Sequence, residues 1–330
     1  MFQDNPLLAQ LKQQIRENIP KKEGVIRASD RGFGFLEVDE KTSYFVPPPY
    51  MKKVMHGDRV SALIRTEKEK EVAEPDALLE QAVTRFVGRV KMFRDRLNVV
   101  PDHPLIKDAI KARAKKGLDE KSFKEGDWVV ATLKRHALVD GNFSAEITQL
   151  IADKDDHNVP WWVVLARHSL AQIEPADLPE WKVIEEEELP RRDLTQVPFF
   201  TVDGAKTKDM DDALAITKLD NGWELLVAIA DPTAYVAEGS ELDQEAAKRA
   251  FTVYMPGRNV PMIPRTLSDE LCSLKEGEER NTLCARLLIA EDGLLLEETE
   301  FFAARIVSHA RLNYDEVSDW AEHGKALDID

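Results

Sequence analysis

Cysteine is almost missing from this chain of 330 residues. The two present, Cys272 and Cys284, lack the paired spacing of a zinc site, and two thiols are too few for a disulfide framework. Both are expected to be buried free thiols. Long apolar runs are missing too: no segment approaches the roughly 18 residues that a membrane helix needs. The opening "MFQDNPLLAQ" lacks the basic-then-apolar order of a secretory signal, so the expected location is the cytoplasm. Aromatic residues are sparse at 7%, which makes their few clusters informative. Positive charge is in deficit, with a net charge of −16. That deficit argues against a uniformly basic surface for a polyanion, but it is unevenly spread. The first 84 residues are close to neutral, residues 85–150 carry +5 and residues 151–330 carry −20. Such asymmetry suits a front part that tolerates phosphates and a rear part that collects cations or is a solvated acidic surface.

What is present is enough for two or three domains, with 43% hydrophobic residues to fill their cores. Leu7, Leu8, Leu11 and Ile15 recur at helical spacing and predict an N-terminal helix within residues 1–20. From residue 21 the texture becomes β-rich. "GVIRA", "GFGFLEV", "SYFVPP" and "RVSALI", separated by Gly, Pro and Asp signals, predict a small barrel of about five strands within 21–84. A second copy follows in 85–150, with Gly88 echoing Gly24 and Gly126-Asp127 echoing Gly57-Asp58. The charged "EKEKEVAEPDALLE" between them reads as a connector. Residues 151–194, with the pair Trp161-Trp162, form a junction segment, and a further domain occupies 195–330.

In "DRGFGFLEV", Phe33 and Phe35 lie two apart on a strand and share a face beside Arg31 and flexible glycines. Two coplanar rings next to a cation would make a stacking platform for bases; burial in the barrel core is the alternative. These residues resemble a cold-shock domain, whose two ribonucleoprotein motifs are similar to "RGFGFLEV" and to "SYFV" with Tyr44 and Phe45. The resemblance implies binding of single-stranded nucleic acid.

The second informative stretch is "TVDGAKTKDMDDALA", which crowds Asp203, Asp209, Asp211 and Asp212 between apolar runs. "PFFTVD" and "DDALAITKL" read as strands, and "WELLVAIAD" as a third and central one. In a regular strand Asp209 and Asp211 share a face and Asp212 points away, so the four converge only in an irregular loop. Carboxylates that close raise one another's pKa, and a bound cation resolves the conflict. Oxygen ligands alone favour Mg²⁺, with Mn²⁺ as the other choice. Two such ions would activate a water and stabilise a leaving oxygen in phosphodiester hydrolysis. An exposed acidic turn is the alternative; the alternating acids, central Gly and terminal Glu of an EF-hand are missing here.

Together with "LLVAIADPTAYVAEGSELDQEAAKRAFTVYMPGRNVPMIPRTLSDELCSL", this stretch closely resembles the catalytic domain of the bacterial ribonuclease II family, over residues 195–320. The resemblance implies a multidomain fold: two small all-β OB/cold-shock-like barrels, then a mixed α+β catalytic domain cut short. It also implies processive hydrolysis of single-stranded RNA from the 3′ end, releasing nucleoside 5′-monophosphates with Mg²⁺. By position in the motif Asp203, Asp209 and Asp212 would be metal ligands, and Asp211 would hold a metal and its attacking water. Tyr254 would pack against the 3′-terminal nucleotide and Tyr314 would line the RNA channel. The expected partner is single-stranded RNA, with no membrane, no small-molecule cofactor and a monomeric state. Two alternatives remain: a catalytically incomplete RNA-binding fragment of that family, or an RNA chaperone. Ser240 and Asp243 predict a helix start that positions Tyr254, and Arg265 is a candidate phosphate contact.

Overall fold

The computed structural model describes residues 19–67, 69–184 and 190–327. The N-terminal helix expected within residues 1–20 falls almost wholly outside them. The described chain divides into two units, one ending at Leu170 and one starting at Ala171.

The first unit holds two closed five-stranded barrels. Barrel one is built from β1 (Lys21–Ala28), β2 (Gly34–Glu37), β3 (Ser43–Val46), β4 (Arg59–Glu67) and β5 (Lys70–Glu80), in the order β1-β2-β3-β5-β4 with β4 closing on β1. Barrel two repeats that order with β6 (Arg85–Phe93), β7 (Arg96–Pro101), β8 (Ile110–Ala114), β9 (Trp128–Arg135) and β10 (Ser144–Ala152). In each copy the third and fifth strands pair in parallel and the other pairs run antiparallel. The charged stretch expected to connect the barrels is therefore corrected: most of it is β5, the strand that closes barrel one. Its Val72, Ala73 and Pro75 turn inward, Lys70, Glu71 and Glu80 stay in water, and Glu74 and Asp76 are largely covered, paired with Arg65 and Lys21. Pro75 sits at a register shift against β4, where a missing N–H is tolerated.

The echo between the copies is structural. In barrel one the Gly57 N–H donates to the Ile26 carbonyl and the Ile26 N–H donates to the Asp58 carbonyl; Gly126, Val90 and Asp127 do the same in barrel two. Both glycines sit at positive φ, +90° and +94°, where a side chain would be strained. The aspartates then brace the turn before them. Asp58 accepts from the Met55 N–H at 2.6 Å, and Asp127 from the Lys124 N–H at 2.7 Å. Beyond that the copies differ. Asp58, fully buried, also accepts from the Ala82 N–H and lies 2.9 Å from Nε2 of His136 in barrel two. Asp127 is 2% exposed, and its second oxygen has no hydrogen-bond partner among the described residues.

The second unit is organised by one six-stranded sheet, ordered β11-β18-β12-β13-β14-β17. Its strands are β11 (Arg192–Asp193), β12 (Phe199–Asp203), β13 (Asp212–Leu219), β14 (Gly222–Ala230), β17 (Glu279–Ala290) and β18 (Glu300–Asn313); a short hairpin of β15 (Val253–Met255) and β16 (Arg258–Val260) stands apart. β18 is long enough to pair with β17 along its first half and with β12 along its second, so the sheet folds back on itself. β14 lies between β13 and β17, the central place expected for "WELLVAIAD". One face of the sheet packs Phe199, Ala213, Ala215, Leu226, Ala228, Cys284 and Ile306 into a core. Both cysteines are buried and unbridged. The opposite face is also apolar, with Ile216, Trp223, Ile229, Leu283 and Phe301 all more than 40% exposed. No helix among the described residues is long and apolar enough to cross a membrane.

Removing the Asp58 carboxylate orphans the buried Met55 N–H, the Ala82 N–H and the buried His136. Asp58→Ala is expected to cost on the order of 3 kcal/mol, against about 1 kcal/mol for Asp127→Ala, which orphans only the Lys124 N–H. Urea denaturation of the two variants checks the ranking.

Candidate active site

Asp203 ends β12 and Asp212 opens β13, and these neighbours pair at Phe200 and Leu214. Residues 204–211 between them have no regular structure, so the loop is irregular, as convergence of the acids requires. What fixes it is the residue between two of the acids. Met210 is only 3% exposed and packs in the sheet core. Its N–H donates to Ser273 Oγ at 3.2 Å and its carbonyl accepts from the Leu274 N–H at 2.9 Å. Ser273, itself fully buried, donates its hydroxyl to the Lys208 carbonyl at 2.6 Å. The Arg311 guanidinium donates to the Thr207 carbonyl at 2.7 Å, and the Ala230 N–H to the Asp211 carbonyl at 2.8 Å. With Met210 held inside, Asp209 stays half-buried and Asp211 exposed at the surface beside it.

The electrostatics show that these carboxylates feel one another. Burial, then the charges of Asp209, Asp212 and Asp203, push Asp211 up to about 6. The protein packed around its carboxyl acts although one edge of the residue is open to water. Asp203 is raised by burial first and by Asp212 next, with Arg311 pulling the other way. One oxygen of Asp203 is buried without a hydrogen-bond partner. An orphaned carboxylate oxygen and a set of mutually repelling oxygen donors fit a hard divalent cation in kind. Among the described residues, however, no three Asp, Glu, His or Cys side chains are drawn together closely enough to hold one.

Tyr254 reaches this cluster. It lies on β15, paired across the hairpin with Asn259, and its hydroxyl donates to Asp209 Oδ2 at 2.5 Å. Its ring remains 66% exposed. Burial around the hydroxyl and the bond to Asp209 push the phenol well above its ordinary value. The hairpin is latched by Arg265, which donates to the Asn259 side chain at 2.7 Å, to Glu174 at 2.9–3.0 Å and to Asp269 at 3.3 Å. The reading of Arg265 as a phosphate contact gives way to this latch, because its donors are already taken by two carboxylates and an amide. The helix Glu241–Arg249 starts at Ser240, as expected, with Ser240 Oγ accepting from the Asp243 N–H; the Asp243 carboxylate accepts from the Gly239 N–H. Tyr314, 60% exposed, begins the helix Tyr314–His323 directly after Asn313, which is in register with Asp203.

In barrel one, Phe33, Phe35 and Phe45 form a cluster with ring centroids 5.5–6.0 Å apart. The coplanar arrangement expected from the sequence is corrected: Phe33 and Phe35 meet edge-to-face at 87°. Phe35 and Phe45 are opposite each other across β2 and β3 and about 40% exposed, beside exposed Arg31. Tyr44 is not part of this group. Strand alternation turns it to the other face, where it packs against the barrel core. Barrel two offers a feature that went unread: at the tip of the β6–β7 hairpin Phe93 is 61% exposed and Arg94 lies 5.2 Å from its ring centre. The signal was the "FRDR" turn at the place corresponding to "SDRGF" in barrel one. Met210, Ser273 and Arg311 also went unread, since nothing in the sequence marks a residue that only clamps a backbone.

The described chain thus combines two ring-bearing barrels of OB topology with a domain that carries an aspartate loop at the ends of its sheet strands. Family models agree: Ribonuclease B OB domain matches residues 24–80, Cold shock domain 99–173 and RNB domain 191–329. The chain is 93% identical over its full length to "Exoribonuclease 2" of Aeromonas hydrophila subsp. hydrophila, covering 49% of that protein. It is 59% identical over 327 residues to "Exoribonuclease 2" of Vibrio vulnificus, covering 98% of this chain and 49% of the other. The chain belongs to the ribonuclease II family and spans about half the length of the curated relatives it matches. Among solved structures, RNase R of Mycoplasma genitalium, in complex with ribose methylated single-stranded RNA, has a TM-score of 0.65 at 24% identity, over 93% of this chain and 50% of that one. Yeast Ssd1, a pseudonuclease, has a TM-score of 0.59 at 19% identity, over 97% of this chain and 48% of that one. Both likenesses concern the fold.

The raised Asp211 value has a thermodynamic consequence. Its folded-state pKa, about 6, lies above the ordinary aspartate value of 3.8, so between those pH values the folded chain binds more protons than the unfolded one. Asp211 therefore costs stability as pH rises from 4 to about 6, and the cost is constant above that. In EDTA, Asp211→Asn is expected to melt higher than the parent, with a gap that opens between about pH 4 and pH 6 and then levels off. A gap independent of pH in thermal melts would contradict this.

Proposed function

We propose that this chain supplies the RNA-guiding barrels and the acidic centre of a 3′-to-5′ exoribonuclease. Such an enzyme would digest single-stranded RNA processively to nucleoside 5′-monophosphates, as a cytoplasmic monomer engaged in RNA and mRNA decay. The observation that carries the reading is the group of four aspartates, two within an irregular loop and two on the strand ends that flank it, with Asp211 raised by burial and by the charges of the other three. A module that only bound RNA would have no use for carboxylates forced together near a polyanion.

Asp203, Asp209, Asp211 and Asp212 are the residues that would hold Mg²⁺, or Mn²⁺ in its place. When bound, the cation supplies Lewis-acid stabilisation of the phosphodiester and a more acidic water. The chain's own groups do the rest. Asp211, whose carboxyl is raised by burial and by the neighbouring acids, is suited to orient an attacking water and take its proton. The exposed ring of Tyr254 offers a face for the 3′-terminal base, with Tyr314 following the strand beside Asp203. Upstream bases would stack on Phe33, Phe35 and Phe45, where a sequence-tolerant aromatic contact suits single strands and excludes a duplex. The +5 charge over residues 85–150 would neutralise phosphates.

A second reading, an RNA-binding fragment without hydrolysis, is favoured by one observation: among the described residues the acids are not drawn into a ligating set. Incubation with 5′-labelled single-stranded RNA separates the two. The enzyme reading expects a Mg²⁺-dependent ladder shortening from the 3′ end, abolished by EDTA and slowed on the order of 10²–10⁴-fold in Asp211→Asn. RNA binding without shortening supports the fragment reading, and shortening that persists in EDTA would rule out the metal site.

A further inference from the structure

At the end of the β6–β7 hairpin Met92, Phe93, Arg94, Asp95 and Arg96 are all exposed, and the Phe93 ring is 61% open to water. The turn is built at a cost. Arg94 and Asp95 sit at φ +49° and +58°, the paired left-handed conformation that a tight hairpin normally gives to Asn-Gly. Arg94 lies from that place 5.2 Å from the Phe93 ring centre. Strand alternation puts Arg89, Lys91 and Phe93 on one face of β6, opposite Val100, Asn98 and Arg96 of β7. Glu125 accepts from the Met92 N–H. The ion pairs of the two barrels among the described residues, such as Arg27–Glu37, Lys134–Glu146 and Arg167–Asp102, leave Arg89, Lys91, Arg94 and Arg96 out.

The tandem supplies a second observation. Counted from the equivalent glycines, Gly24 and Gly88, Lys91 and Asn98 occupy the places of Arg27 and Phe35, and Phe93 and Arg96 those of Ser29 and Phe33. This is the face on which barrel one carries two rings of its cluster. Both copies therefore combine ring and cation there, with the strands exchanged: barrel one has its cation on the first strand and its rings on the second, barrel two a ring on the first and a cation on the second. In barrel one Arg27 is tied to Glu37 at 2.8 Å. Val100 takes the place of Glu37 in barrel two, so Lys91 lacks that acid.

We propose that this hairpin face is a second contact for single-stranded RNA, in which a base stacks on Phe93 while Lys91, Arg94 and Arg96 neutralise neighbouring phosphates. The proposal rests on the reading of the barrels as RNA guides and extends it to a site in barrel two. Arg89 to Phe93 covers about 13 Å of strand, so the strip can meet more than one phosphate. The two contacts differ in kind. Rings dominate in barrel one and cations in barrel two, so the second contact weakens steeply with salt while the first holds. A duplex could meet the cations, but its paired bases are closed to the ring.

The test is fluorescence anisotropy of a 5′-labelled oligo-uridylate in EDTA, over a series of KCl concentrations, with the 330-residue chain and three variants. These are Phe93→Leu, Phe93→Tyr and the combination of Lys91→Gln, Arg94→Gln and Arg96→Gln. Thermal melts establish that the variants are folded. Phe93→Leu is expected to bind on the order of tenfold more weakly with an unchanged salt slope, and Phe93→Tyr, which keeps a ring, to bind as the parent does. In the combined variant the slope of log K against log salt should shrink by about 2, since each phosphate neutralised on a single strand contributes about 0.7. RNA binding by the parent that is the same in all three variants, or weaker in the combined variant alone, would overturn this contact and leave the barrels as RNA guides. So would a matched duplex that loses as much affinity as the single strand on Phe93→Leu. Absence of RNA binding from the parent would overturn the contact and the guiding role together.

Discussion

A methionine in the sheet core decides where the acids of this protein stand. Met210 is buried with an aspartate on each side, and its backbone is tied to Ser273 and Leu274 across the sheet. Carboxylates so close would spread apart on a flexible tether, since each raises the cost of ionising the next. Here they cannot retreat without withdrawing an apolar side chain from its core and breaking the bonds to Ser273 and Leu274. The folded domain therefore holds a strained charge distribution in place with ordinary packing energy, the arrangement expected where a site is destabilised locally for function.

The barrels solve a different problem, that of presenting rings to water. In barrel one the ring cluster draws Phe35 and Phe45 from adjacent strands whose alternate residues, Leu36 and Val46, fill the interior. Close backbone packing at the first strand makes that pleat possible. A side chain at Gly24 would meet the Glu37 carbonyl at 2.4 Å, and one at Gly88 the Val100 carbonyl at 2.5 Å. The same position in the two copies thus admits only glycine, and for the same reason.

Much of this was legible in the sequence because it is local. Strand alternation, Gly-Asp turns and the clustering of aspartates are all carried by residues within a few positions of each other, and they announced two barrels and a strand-loop-strand acidic site. The failures are as physical. "EKEKEVAEPDALLE" looks like a linker because charged residues fall between the few inward ones of this barrel strand, leaving only Val72, Ala73 and Pro75, with Leu78 packed against the core, to reveal the inner face. Tyr44 and Phe45 were grouped by a motif although neighbours on a strand face opposite ways. Arg265 looked like a phosphate ligand because its carboxylate partner Glu174 is distant in the chain. Ser273 and Arg311 act on backbone carbonyls, and such a role leaves no pattern of residue types to detect.

The joint between the barrels has a direction. His136 of the second copy plugs the socket formed by Asp58 of the first, while the matching socket at Asp127 has an oxygen without a partner. Two modules that began with the same turn have thereby become unequal in what they can tolerate. A change at Asp58 is felt in both barrels, so that position is constrained by the tandem as a whole. Asp127 answers to its own barrel alone, and its socket is the one from which sequence drift can proceed.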